Sequence, residues 1–238
     1  MTTLNLGKNY GTAEYKCSGV YYADLAPAQA ASVAIWAGGV ACSADRIMCD
    51  NNCGGLTDFS LIRIGVTDVP AGSTVTDATM FLKTKYGMPT GTRIISCRQV
   101  KTGNWGPDNT TTGTGIWENT ATHGQVTSRR RVDYNGAGGD KAWAGTYFAI
   151  AADCSPATQN FSGTLVTNTF YGIPCTQEVK NWVENGQSNW GVCLWSDSTG
   201  QQEYFWGDCT GANAPYLAVG YSSATASNVV VNCMGSTL

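Results

Sequence analysis

The strongest constraint on this sequence is a recurring short run in which apolar and polar side chains alternate, closed each time by Gly, Pro, Asn, Asp or Ser. Period two is the geometry of a strand whose two faces meet different surroundings, and many such runs divided by turns predict an antiparallel β-sandwich or barrel. Leu61-Ile-Arg-Ile-Gly-Val66 is the first clear case, followed by turn residues around Asp68, Pro70 and Gly72. In Val75 to Lys83, alternation sends Ala78, Met80 and Leu82 to one side and Thr79, Phe81 and Lys83 to the other. Further strands are expected at Arg93 to Val100, Thr146 to Ala152, Gly163 to Thr169, Trp190 to Trp195, Gln202 to Trp206, Pro215 to Tyr221 and Asn228 to Cys233. Tyr10 to Tyr22 looks extended, whereas Pro27 to Trp36 fits either a short helix or a buried strand.

One helix breaks the pattern. Thr176 offers an N-cap, Val179, Trp182 and Val183 recur at helical spacing, and Gly186 suits the left-handed position after the last turn, so a helix is expected from about Thr176 to Asn185. The expectation is one all-β domain over residues 1–238 with long loops, within which residues 1–55 are a Cys-rich stretch that is either an inter-subunit arm or the opening strands.

Composition narrows the function classes. Charged residues make up 13 % of the chain, about half the usual share, and the formal net charge is -3. A phosphate-backbone ligand calls for clustered Lys and Arg, so nucleic acid is not an expected partner. No apolar run reaches the length of a membrane helix. Ten cysteines point to an oxidising setting and disulfides, with Cys42, Cys49 and Cys53 as the neighbouring candidates. The opening residues, Met1-Thr-Thr-Leu-Asn-Leu, have neither the basic nor the apolar region of an export signal. A chain that oxidises after release, as a virion component does, is one way to reconcile the two, and a mature chain with Met1 added in cloning is another; the expected location is a virion or the extracellular space.

Catalytic patterns are sparse. The single histidine, His123, lies in Thr120-Ala-Thr-His-Gly-Gln with no nucleophile-elbow motif in the chain. Glu118, Asp133, Asp140, Asp153, Glu178, Glu184 and Glu203 supply acids without the pairing glycoside hydrolysis requires. No nucleotide, zinc-protease or EF-hand pattern occurs; no catalytic residue, cofactor or metal site is therefore expected. A zinc held by Cys42, Cys49, Cys53 and a distant thiolate is the competing reading of those cysteines. Asp50-Asn51-Asn52 could offer oxygens to calcium, although a disulfide-clamped turn explains that triplet equally well. Among eight tryptophans, Trp105, Trp117 and Trp143 lie in Gly-rich surroundings and are the candidates for stacking on sugar rings. Arg129-Arg130-Arg131 is the one charge run, read as a solvated strand edge or a partner contact.

The order of these pieces resembles the DNRLRE family of jelly-roll modules, which are related to carbohydrate-binding modules and occur on secreted, cell-surface and phage proteins. The resemblance runs through Ser60 to Val66 and Val69 to Leu82, Ile94 to Trp105, Thr176 to Gly186 with Gly191 to Leu194, and Tyr204 to Tyr221. It departs from the family where Ile64-Gly65 replaces the usual Phe-Asp, and it leaves residues 117–171 and the Cys-rich start uncovered. It implies a jelly-roll sandwich, and two roles are expected, the first from the low charge and missing export signal and the second from the resemblance and the loop tryptophans. The first is a non-catalytic structural protein of a virion surface, of head-decoration or fibre type, with neighbouring subunits as partners. The second is a carbohydrate-binding or adhesion module that contacts host or cell-surface glycan.

Overall fold

The computed structural model describes residues 1–6, 15–23, 47–50, 56–85, 90–103, 130–132, 141–144, 149–196, 202–205 and 212–223. They form thirteen strands and two short helices. Four strands make one antiparallel sheet in the order β1 (Thr2–Leu6), β13 (Tyr216–Ser222), β5 (Thr74–Lys83) and β10 (Phe170–Pro174). Five make the second: β2 (Tyr15–Ala23), β4 (Leu56–Ile64), β11 (Val192–Ser196), β6 (Thr92–Gln99) and β9 (Asn160–Thr164). Two small ribbons complete the set, β3 (Ile47–Asp50) with β12 (Gln202–Phe205) and β7 (Arg130–Val132) with β8 (Lys141–Ala142).

With the edge strand β2 set aside, the eight remaining strands of the two sheets pair by nesting. The first joins the last (β1 with β13), and inside it β4 joins β11, β5 joins β10 and β6 joins β9. The chain is thus one long antiparallel ribbon, and further pairing of β13 with β5 and of β11 with β6 rolls that ribbon into two sheets. This is the jelly-roll arrangement. β1 joins the four-stranded sheet and β2 the five-stranded one.

Alternation builds the core. Val75, Ala78, Met80 and Leu82 of β5 face Ile95 and Cys97 of β6 and Val192 and Leu194 of β11, with Leu217 and Val219 of β13 and Leu6 of β1 alongside, all almost fully buried. Burying side chains of this kind stabilises by about 1.5–3 kcal/mol each before the entropy of ordering them is counted.

The helix α2 (Thr176–Val183) is where the sequence placed it, two residues shorter at its C-terminal end, and Gly186 takes the left-handed conformation at φ 65°. It does more than close the core with Val179 and Trp182. β10 pairs with β5 only as far as Thr79, and the chain then turns through Cys175, whose N–H donates to the Ala78 carbonyl (3.0 Å). α2 covers the rest of that edge: the Thr176 hydroxyl accepts from the Ala78 N–H (3.0 Å), and the Glu184 carboxylate accepts from the Val75 N–H (2.6 Å). Thr176 is therefore the first helical residue and caps a strand, with Cys175 in the N-cap position.

Residues 149–153 correct one expectation. Where a strand was anticipated from Thr146 to Ala152, Ile150–Asp153 form the one-turn helix α1. The cause is tertiary. The Asp153 carboxylate, fully buried, accepts from the backbone N–H of Ala144 (2.8 Å) and Ala149 (2.8 Å) and from the Thr102 hydroxyl, curling the segment around itself. The expected strand over 163–169 is also displaced: β9 ends at Thr164, and the chain turns through Asn168 at φ 61° into β10. Asn228 to Cys233 lies outside the described residues.

The expected disulfide framework does not reach the described interior, where Cys97, Cys154, Cys175 and Cys193 are buried thiols. Register supplies a reason for two of them. Cys97 is opposite Leu194 and points into the core between the sheets, whereas its near neighbour Cys193 is opposite Arg98 and points to the other face.

Candidate functional site on the outer face of the four-stranded sheet

The outer face of an antiparallel sheet is ordinarily polar, and here one end of it is aromatic. Directly opposed residues form rows across the sheet. Tyr216, Phe81 and Gly172 make one row, and Asn5, Ala218, Thr79 and Pro174 make the next. Thr3, Gly220 and Asp77 make a third. Phe81 and Tyr216 stack with ring centroids 4.7 Å apart and planes within 9°, and Phe170 meets Tyr216 edge-on at 5.7 Å. All three rings are half-buried. Gly172 makes room for them, since a Cβ there would come within 3.3 Å of the Phe81 ring and 2.7 Å of the Thr79 methyl.

Beside this cluster the Lys83 ammonium lies 5.6 Å from the centre of the Phe170 ring and donates to the Asn213 side-chain oxygen at 2.9 Å. At the opposite end Asp77 accepts from the Thr76 hydroxyl (3.0 Å) and lies over Gly220, where a side chain would collide with it. A register shift at Gly220/Tyr221 brings Thr76 and Asp77 both to solvent. The face is thus a wall of rings above a low shelf of small side chains, bordered by Asn5, Thr3 and Asp77.

The sequence candidates lie elsewhere. Trp105, Trp117, Arg129, Cys42 and Cys53 are outside the described residues. Arg130 and Arg131 belong to β7, and Cys49 belongs to β3, opposite Glu203. Trp143 differs from its expected exposure: at 3 % it is packed with Leu61, Val100, Cys154 and Cys193 on the outer side of the five-stranded sheet, flanked by Ile150 and Trp190. A ring enclosed in this way offers no face to a sugar. The segment carrying it folds back because Asp153 ties down Ala144, next in the chain. Asp50 ends β3, and Asn51 and Asn52 fall outside the described residues. No cluster of metal-binding side chains occurs among the described residues, nor is any helix there long and apolar enough to cross a membrane.

The acids of the described part do not converge. Asp153 organises its loop, Glu184 caps β5, and Glu203, fully buried, lies 3.5 Å from the Arg93 guanidinium, which also donates to the Thr90 carbonyl at 2.9 Å. Glu178, one turn before Trp182 on α2, is 2 % exposed. One of its oxygens accepts from the Thr158 hydroxyl at 3.3 Å, and the other has no hydrogen-bond partner. Burial pushes its carboxyl above the ordinary value, with the backbone N–H and Thr158 pulling partly back. The folded state therefore holds this proton to higher pH than the unfolded chain does. The contribution of Glu178 to stability is greatest below the ordinary carboxylate value and declines as pH rises from there through the raised one. Glu178→Gln is expected to raise Tm at pH 7 and to match the parent near pH 4, as thermal melts across that range would show; a lower Tm at pH 7 refutes the assignment.

Phe81 was legible as an outward residue in the alternation of β5, but its partners were not. Phe170 lies on a strand without alternation, and the stacking of Tyr216 depends on register. No protein-family model matches the chain, and no curated protein matches it.

Proposed function

We propose that this chain is a non-catalytic structural component of a virion surface, of head-decoration or fibre type, whose DNRLRE-like stretches supply the sandwich strands and whose partners are neighbouring subunits outside the cell. The observation that carries the reading is the nested ribbon. An eight-strand double-sheet jelly roll is an architecture used by capsid and lectin domains, and pairing its first strand with its last anchors the start of the chain in the sandwich. Among the described residues, Asp153, Glu184 and Glu203 each serve a separate structural contact. Fold alone does not fix function, so the test is assembly. Electron microscopy of material from the native source, without overexpression, is expected to find the protein as a regularly repeated element of a particle. Recovery solely as a free monomer refutes the proposal.

A further inference from the structure

We infer that Asn185-Gly186, just past the end of α2, is a self-modifying site: the Gly186 nitrogen attacks the Asn185 side chain, and the aspartate or isoaspartate that results loosens the end of α2 from the edge of β5. The inference does not rest on the virion reading.

Three observations carry it. First, the attack needs an unhindered backbone nitrogen after the asparagine. Asn185 precedes a glycine, whereas every other asparagine among the described residues precedes a residue whose side chain crowds that nitrogen. Second, this nitrogen is available. α2 ends in a wide turn, in which the Asn185 N–H donates to the Lys180 carbonyl (3.2 Å) and the Gln187 N–H to the Asn181 carbonyl (2.9 Å). The Gly186 N–H between them has no acceptor among the described residues. Asn185 and Gly186 are both exposed, so water and base reach them.

Third, the amide that is lost holds the helix end. Asn185 donates to the Asn181 side-chain oxygen (3.2 Å), Asn181 donates to Gln99 of β6 (2.8 Å), and Gln99 donates to Gln187 (3.0 Å). A carboxylate at position 185 would set an acceptor against the Asn181 oxygen. It would also add negative charge beside Glu184 at a helix C-terminus, where the helix dipole opposes it. Glu184 is the residue whose carboxylate covers the Val75 N–H.

The reaction balances with water as its one co-reactant. As the Gly186 nitrogen gives up its proton, a bond forms from it to the Asn185 Cγ, the Cγ–Nδ2 bond breaks, and ammonia leaves with the proton. Water then opens the cyclic imide at either carbonyl. One opening leaves aspartate in a normal backbone; the other leaves isoaspartate, with one more carbon in the main chain directly after Glu184.

The test is incubation of the full chain at mildly alkaline pH, followed by peptide mass mapping and enzymatic methylation of isoaspartate. Asn135-Gly136, outside the described residues, is read as a separate peptide. Asn185 is expected to convert about tenfold faster than any other described asparagine, and Gly186→Ala to slow that conversion by about tenfold. Asn185→Asp reports the consequence: Tm lower by about 2–4 °C, with faster amide exchange in the peptide covering Val75 to Ala78. An intact Asn185 after the other described asparagines have begun to convert overturns the inference, as does conversion at an unchanged rate in Gly186→Ala. Unchanged exchange over Val75 to Ala78 in Asn185→Asp overturns the loosening of α2.

Discussion

Asp153→Ala is expected to lower stability by about 3–5 kcal/mol, the cost of removing a buried carboxylate whose hydrogen bonds as a charged acceptor contribute roughly 1.5–3 kcal/mol each, offset by partial relaxation. The carboxylate is fully buried and holds three donors from three places in the chain: the Thr102 hydroxyl, the Ala144 N–H and the Ala149 N–H. Its own backbone carbonyl accepts from the Lys101 N–H at 2.8 Å, so the residue pins α1 to the end of β6 from both sides. Trp143, adjacent to Ala144, is the reporter. Loosening the segment would uncover its ring over Leu61 and Cys193. Chemical denaturation and tryptophan emission should move together, with a lowered midpoint and a red-shifted spectrum before global unfolding. Asp153→Asn sharpens the test, because one amide oxygen cannot serve both N–H groups and the amide nitrogen would meet a donor. A loss below about 1 kcal/mol in Asp153→Ala would show that these bonds are not what holds the segment.

Gly191→Ala carries the second large effect. Gly191 adopts φ 83°, a left-handed conformation that costs an L-residue about 1–2 kcal/mol, and it lies where β11 slides in between β4 and β6. A Cβ there would press into the Ile62 carbonyl oxygen and stand 3.0 Å from the Arg63 Cα, both backbone atoms with no rotamer to escape through. Its N–H donates to the Asn189 side chain (2.9 Å), Asn189 donates to the Ile64 carbonyl (2.8 Å), and its carbonyl accepts from the Val100 N–H (2.9 Å), so the backbone is held from every side. Conformation and overlap together predict a loss of about 3–4 kcal/mol, or a Tm lower by roughly 6–16 °C at 2–4 °C per kcal/mol for a chain of this size. Gly186→Ala is the control: its φ is 65°, yet no atom lies within 4 Å of the added carbon, so it should lose only the conformational part. Equal losses in the two variants would remove overlap as the explanation.

The sandwich was legible because alternation is local: β4, β5, β6 and β13 each show it in their own residues, and the helical spacing of Val179, Trp182 and Val183 is as plain. What escaped depends on partners far along the chain. Phe170-Tyr-Gly-Ile-Pro174 has a central glycine and a closing proline, which argue against a strand in isolation; it is one because β10 lies at a sheet edge, where proline is tolerated. The apolar run before Asp153 fits strand or helix equally, and a tertiary hydrogen-bond set decided between them. Gly-rich surroundings suggested exposure for Trp143 but carry no information about what the segment folds against. The aromatic face was half-readable for the same reason: one strand announces which residues face out, and register alone says which of them meet.

The nested pairing also dictates an order of events. Thr2 pairs with Tyr221, and the innermost pair, Ser96 with Asn160, is much nearer in sequence. A chain rolled this way has its cheapest loop closure at the middle and its dearest at the two ends. During synthesis β1 emerges long before β13 and waits for it while the strands between them are made. Until then the edge of β5 that β13 will cover, and the Phe81 ring that β5 carries, remain open to strangers. A protein of this topology is most exposed to mispairing with its own copies just before β13 emerges.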